Sequence, residues 1–314
     1  MFNNFFNVSQ KQEKPPKNLT QEIAKRSLDE LFLLTQQYRS SQSYRNLIDF
    51  IAKFRFYSPY NAMLVHMQMP GARFVRTPSQ WLKDYNHTIK PGARALVILR
   101  PGGPVQFVFD VSDTLSLPGA KPLPPEVTSP FEVRGGKING ELDCLTRNAV
   151  RDGISIFIQE AGAQRAGSIA SVHSDRELPF QISRFPQRYA FIPERYELLL
   201  NRTHSPEAQF ATAVHELGHL YCGHLGTNNP AWWPDRRGLG LQEREFEAES
   251  VSYLVCRRFG IDTPSEQYLD GYLAANQQVP DISLEAVLVS AKLIEEMARK
   301  RMPLRKKKGQ EGTD

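Results

Sequence analysis

The 314-residue sequence predicts an α+β fold. Two observations lead there. Short apolar runs bounded by Gly, Pro and Asp ("ISIFIQE", "GSIASVHS", "PFQISRF" and "RYAFIP") read as strands in the middle of the chain. Helical periodicity then takes over at 206–222, about 241–259, about 265–276 and 283–300. Strands followed by helices, rather than alternating with them, indicate α+β.

Taken in order, residues 1–18 are polar, contain "KPPK", and read as a flexible leader with neither the basic nor the apolar region of a secretory signal. From Thr20 to about Phe56, Ile23, Leu28, Leu31, Leu47, Phe50, Ile51 and Phe54 recur at helical spacing. "YSPYNAMLVHMQM" follows as a helix capped by Ser58 with Pro59 in its first position. "ALVILRP" and "VQFVFDV" flank a "GGP" turn, a strand–turn–strand signal. "LSLPGAKPLPPEVTSP" holds five prolines in sixteen residues and is the natural linker, placing a boundary near residue 130. The expected division is a front domain over 19–117, the linker over 118–133, a second domain over 134–298 and a basic tail over 299–314. The second domain opens with a helix near 141–151.

Composition narrows the function classes. No run approaches the ~20 apolar residues of a membrane span. Cys144, Cys222 and Cys256 are odd in number and far apart, which is no disulfide framework and suits a reducing, cytoplasmic setting. Charge is uneven: residues 1–133 carry 16 Lys+Arg against 10 Asp+Glu, residues 134–314 carry 23 against 24. A basic front half suits a polyanion or is a solvated surface.

The chemistry concentrates in "ATAVHELGHLYCGH". Ser205, Pro206 and Glu207 form a helix start, so His215 and His219 stand i, i+4 on one face, where two imidazoles converge on a single cation. Glu216 is beside the cation but not on it, the position from which a carboxylate moves a proton between water and a leaving amine. The neighbours Ala213, Val214, Leu217, Gly218, Leu220 and Tyr221 are uncharged, so the helix buries ionisable groups that need a partner. In "LGLQEREFEAESVSYLVCRRFG" a stripe through Leu241, Ala248, Ser252, Val255 and Phe259 includes Glu245, whereas Glu243 and Glu247 fall on the far side and Arg257 and Arg258 flank it. A carboxylate on the core-facing stripe is the third ligand. Glu245 is preferred, Glu249 is the alternative, and the one that does not bind accepts from a histidine N–H. Two His and one Glu leave an open position, the layout of a catalytic Zn²⁺ that Mn²⁺ also accepts. Tyr221, His224 and Tyr253 are read as packing or rim residues. No GxSxG is present, and Cys222 reads as core.

"HELGH" followed by "EREFEAESVSYLVCRRFGI" resembles the zinc-metallopeptidase domain of the ImmA/IrrE group and of ArdC-type antirestriction proteins, over roughly 140–276. The resemblance implies a zincin-like fold, His215, His219 and Glu245 as ligands, Glu216 as the catalytic residue and a protein or peptide substrate. "FYSPYNAMLVHMQMPGARFVRTPSQWLKDYNHTIKPGARALVILRP" is similar to the single-stranded-DNA-binding domain of ArdC-like proteins, although "YNHTIKPG" lacks the Gly-Gly that precedes the basic turn in that family. Aromatic and basic residues interleave here as single strands require. Tyr57, Arg73, Arg76, Lys83 and Lys90 are the expected contacts. The resulting expectation is a metallopeptidase fused to a single-stranded-DNA-binding domain, in an antirestriction or mobile-element setting. Its rival is a DNA-binding protein whose metal site is structural or vestigial.

Overall fold

The computed structural model describes residues 36–100, 103–124, 138–160 and 166–305. The leader, the first part of the Thr20–Phe56 pattern, the expected boundary near residue 130 and the tail beyond residue 305 lie outside the described residues.

The described part of the front half has two longer helices, several short helical segments and small antiparallel sheets. Helix α1 (Ser41–Lys53) starts where the Ser40 side chain accepts from the Ser43 N–H. Its Tyr44, Leu47, Ile48 and Ile51 stand one, three or four residues apart and are fully buried. Helix α2 (Pro59–Gln68) has Ser58 as its cap and Pro59 in its first turn, as its sequence implies. Strands β1 (Val75–Arg76), β3 (Leu96–Arg100) and β4 (Gly103–Asp110) form a sheet in the order β1-β4-β3, and β2 (His87–Ile89) pairs with β5 (Thr114–Ser116). The short helical segment between β1 and β2 (Pro78–Gln80, continuing over Trp81–Tyr85) is pinned by Trp81, which is fully buried and donates its Nε1–H to the Phe109 carbonyl at 2.8 Å.

The second half follows the expected order of strands then helices: α3 (Glu141–Ala149), β6 (Ile154–Gln159), β7 (Gly167–Ser171), β8 (Glu177–Arg184), β9 (Gln187–Pro193) and β10 (Tyr196–Asn201), then α4 (Pro206–Tyr221), α5 (Leu241–Phe259), α6 (Pro264–Ala275) and α7 (Leu284–Arg299). β10 has no counterpart among the expected strands, yet it is the centre of its sheet. It runs parallel to β6 and antiparallel to β7, with Leu198 opposite both Ile156 and Ile169. "YELLLN" is as compatible with a helix as with a strand. Pairing on both sides, a long-range contact, settles it.

One hydrophobic core runs through α1, α2, β3, α3, β6, β10, α4, α5 and α7. The two front helices thus pack on the same interior as the second half. Three polar ties join α1 to α5: Tyr44 Oη to Ser250 Oγ at 2.7 Å, Tyr253 Oη to Asp49 at 2.8 Å, and Arg258, which donates to the carbonyls of Ile51, Phe54 and Tyr57. The front sheet has its own smaller cluster around Phe74 and Trp81. Residues 300–305, the described part of the basic tail, run back over the fold: Met302 is buried, and Arg305 pairs with the buried Asp152 and lies over Trp232 and Trp233. No helix among the described residues is long and apolar enough to cross a membrane.

Candidate metal centre

Two helices build the centre. Helix α4 begins at Ser205, whose side chain accepts from the Ala208 N–H, with Pro206 in the first turn. It buries Phe210, Ala213, Val214, Leu217 and Leu220. Burying each large side chain of this kind contributes about 1.5–3 kcal/mol. Gly218 lets α5 approach closely: a Cβ there would stand 3.3 Å from Ala248 Cα and 3.4 Å from the Ala248 carbonyl oxygen. This contact brings Glu245 and Glu249 of α5 up to the histidine face of α4.

His215 Nε2 and His219 Nε2 are 3.2 Å apart. Glu245 faces both, with Oε2 3.7 Å from His215 Nε2 and Oε1 3.6 Å from His219 Nε2. Ligand atoms held at ~2.0–2.1 Å by one tetrahedral ion are separated by about 3.3 Å. The three donors therefore already enclose a space that fits such an ion. Glu249 is on the opposite side of the His215 ring, 3.6 Å from Nδ1, an ion-pair distance at which it can orient that imidazole. Glu216 shares a groove with His215, and its Oε2 accepts the Ile169 N–H at 3.0 Å. Its carboxylate is thereby anchored to the edge strand β7, in a groove lined also by Thr212, Ser252 and Pro264.

The electrostatics suit a cation. Burial by itself lowers the pKa of His215, but Glu249, Glu216 and Glu245 outweigh it, and the net shift is upward. Glu245 is held below the usual carboxylate range, first by its hydrogen bond with His219. Glu249 is also lowered, because His215 outweighs its desolvation. The site is thus a partly buried pocket of carboxylates that attracts positive charge.

The reading of α5 requires two corrections. Leu241, expected on the buried stripe, is the first residue of the helix and is 68% exposed. Glu247, expected on the far side, is completely buried, and Arg258 is buried too. α5 is covered by α4, α1 and α7, so it has little far side, and its charged residues face partners inside. His224, expected as a packing or rim residue, is also buried and lies against His219, with the two Nδ1 atoms 2.9 Å apart. Arg236, which no sequence signal singled out, closes the cluster by pairing with Glu247 through both guanidinium nitrogens at 2.6 Å. The only hint in the sequence is the recurrence of His five residues after His219, following a helix-ending Gly.

The expected nucleic-acid contacts are not equally open. Arg73, Lys83 and Lys90 are exposed, and Lys90 donates to the Ser112 carbonyl at 2.6 Å. Arg76 is half-buried over the rings of Phe74 and Phe56. Tyr57 is half-buried, stacked on Phe54, with its hydroxyl donating to the Val75 carbonyl at 3.0 Å. Among the interleaved aromatics, Phe74 and Trp81 are core, and Phe56 remains 37% exposed.

Comparison with known proteins gives three matches. Over 292 residues the chain is 23% identical to an uncharacterized protein of Bacillus anthracis, a match covering 79% of this chain and 45% of that protein. The chain thus spans less than half the length of this curated relative. The crystal structure of the antirestriction protein ArdC from the R388 plasmid, with Mn(II) bound, aligns with 81% of this chain and 94% of its own, at 13% identity and a TM-score of 0.33. The third match is to a family, over residues 176–255, the segment from the β8–β9 hairpin through α4 and most of α5 that contains every donor of the centre. This segment matches the model of the Peptidase_M78 family, described as an IrrE N-terminal-like domain.

Proposed function

We propose that the chain is a metal-dependent peptidase with His215, His219 and Glu245 as its ligands, Zn²⁺ as the resident ion and Mn²⁺ as the second candidate. The observation that supports it best is the convergence of these three donors from α4 and α5 to within 4.8 Å of one another. A cation bound there supplies Lewis acidity, polarising a carbonyl and acidifying water. Glu216, restrained by Ile169, is the group that accepts a proton from the attacking water and passes it to the leaving amine. Glu249 orients His215. The groove beside Glu216 receives the peptide, with Thr212, Ser252 and Pro264 along its wall. Incubation of the purified protein with a mixed peptide library tests this reading. The parent cleaves and Glu216→Gln does not, while both retain the metal. Equal cleavage by the two would remove Glu216 from its role.

The front half is the proposed binding element for single-stranded DNA, and an antirestriction role belongs to the same proposal. Its support is the resemblance carried by residues 54–113, the positive charge of the front half and the exposure of Arg73, Lys83 and Lys90. Affinity for a labelled oligonucleotide that falls steeply as salt rises is the expected result. If DNA binding and biological protection survive Glu216→Gln unchanged, the rival reading, a DNA-binding protein with a structural metal site, is preferred.

A further inference from the structure

His219 faces the three-donor space with one nitrogen and a buried hydrogen-bonded line with the other. We propose that His224 and Glu247 act as positioning residues for the metal centre, a directional relay that fixes the proton on His219 Nδ1 and so presents its Nε2 to the cation. The proposal rests on the metal-centre reading above and concerns residues that reading does not use.

The line is built by local geometry. Gly223 has φ +89°, a left-handed conformation that ends α4, and a Cβ there would meet the Pro234 carbonyl oxygen at 2.3 Å. The chain therefore turns back at once, and the His224 N–H reaches the His219 carbonyl at 3.0 Å. The two Nδ1 atoms are then 2.9 Å apart. His224 Nε2 is 2.9 Å from Glu247 Oε2. Glu247 accepts in addition from Arg236 Nη1 and Nη2 and from the Ser283 N–H, each at 2.6 Å. His224 is 4% exposed and Glu247 is not exposed at all, so water does not substitute for any of these partners.

With His224 neutral, only one direction satisfies every atom. Glu247 is an acceptor, so His224 must carry its proton on Nε2. A neutral His224 then has a bare Nδ1, which must accept. His219 is left as the donor through Nδ1–H, and its Nε2 is bare. That bare nitrogen is the one 3.2 Å from His215 Nε2 and 3.6 Å from Glu245. The reverse direction would set a bare His224 nitrogen against a carboxylate at 2.9 Å, two acceptors with no proton between them. Arg236 from the loop after α4 and Ser283 at the start of α7 fix the far end, so the tautomer of a metal ligand is tied to the packing of three helices.

Cys222, His224 and Glu247 also lie within 4.8 Å of one another, the spacing of a second metal site. Their valences are already filled. Both imidazole nitrogens of His224 and both oxygens of Glu247 are engaged, and Cys222 Sγ donates to Ser290 Oγ. Burial also pushes the Cys222 thiol up to about 12, far from the thiolate that binds metal. The cluster is a relay and not a second centre.

The experiment is Zn²⁺ competition with a chromophoric chelator on the full chain, for the parent, His219→Ala, His224→Ala and His224→Asn. His219→Ala tests the metal centre itself, and loss of stoichiometric binding is expected. His224→Ala weakens Zn²⁺ by about 10–100-fold. His224→Asn, whose amide oxygen replaces Nδ1 as the acceptor, restores most of that loss. Because His224 is buried, the metal-free variants are first checked for cooperative unfolding. ¹⁵N-histidine NMR of the Zn²⁺-loaded parent provides a readout that needs no variant, and His224 should show a protonated Nε2 and a bare Nδ1. A His224→Ala protein that binds Zn²⁺ as tightly as the parent, a proton on His224 Nδ1, or two Zn²⁺ per chain overturns the relay while leaving the first centre standing. A parent that takes up no Zn²⁺, or a His219→Ala protein that binds it unchanged, overturns the centre and the relay together.

Discussion

Behind the HELGH helix, His219, His224, Glu247 and Arg236 are largely or wholly removed from water, and their ionisable atoms meet one another at 2.6–2.9 Å. On the front sheet the pattern reverses. Arg73 and Lys83 are exposed, while the neighbouring rings in the sequence, Phe74 and Trp81, are fully buried. The difference lies in what fixes a side chain. A buried charge is destabilising unless a partner meets it, so the fold must specify its position. A surface cation keeps its hydration and is placed by nothing but its Cα. Chemistry that needs a geometry belongs in the first region, and chemistry that needs only a field, such as phosphate attraction, fits the second.

This contrast can be broken or sharpened by substitution. The largest effect is expected for Arg236→Ala. It leaves Glu247 with its negative charge buried and its main counter-ion gone, a loss of about 3–5 kcal/mol of stability. Denaturant unfolding measures it, and a change below about 1 kcal/mol would mean that His224 and Ser283 suffice. Gly218→Ala comes next. The added methyl meets Ala248 backbone, which cannot swing aside, and overpacking of this kind costs about 1–3 kcal/mol. It should also push Glu245 away from the histidines, so metal affinity falls with stability. Unchanged metal affinity would show that α5 shifts without moving its carboxylate. The smallest effect on stability belongs to Lys83→Ala, within about 0.5 kcal/mol. The same variant should reduce the salt slope of oligonucleotide binding by about 1. A stability loss equal to that of Gly218→Ala would show that Lys83 is structural.

How legible each region was follows from the same physics. The helices of the second half, the cap at Ser205 and the four flanking strands were readable because their signals are local. β10 was not, because Tyr196–Asn201 becomes a strand only by pairing with β6 and β7, elements far away in sequence. His215, His219, Glu245 and Glu216 stand out because they are ionisable groups on apolar helical faces. Glu247 misled for the converse reason. The helical wheel of α5 assigns it to solvent, and only the return of the loop carrying Arg236 and the docking of α7 at Ser283 bury it. Amphipathic periodicity presumes one covered face, and α5 is covered on three sides. The DNA contacts were the least constrained, since a ring between cations in sequence can turn inward, as Phe74 and Trp81 do.

The central claim is that His215, His219 and Glu245 gather around one cation. Elemental analysis of the purified chain and of Glu245→Ala and Glu249→Ala tests it most directly. The account predicts about one divalent ion per parent chain, its loss in Glu245→Ala and its retention in Glu249→Ala. A parent with no bound metal, or a Glu245→Ala protein that keeps it, would contradict the account.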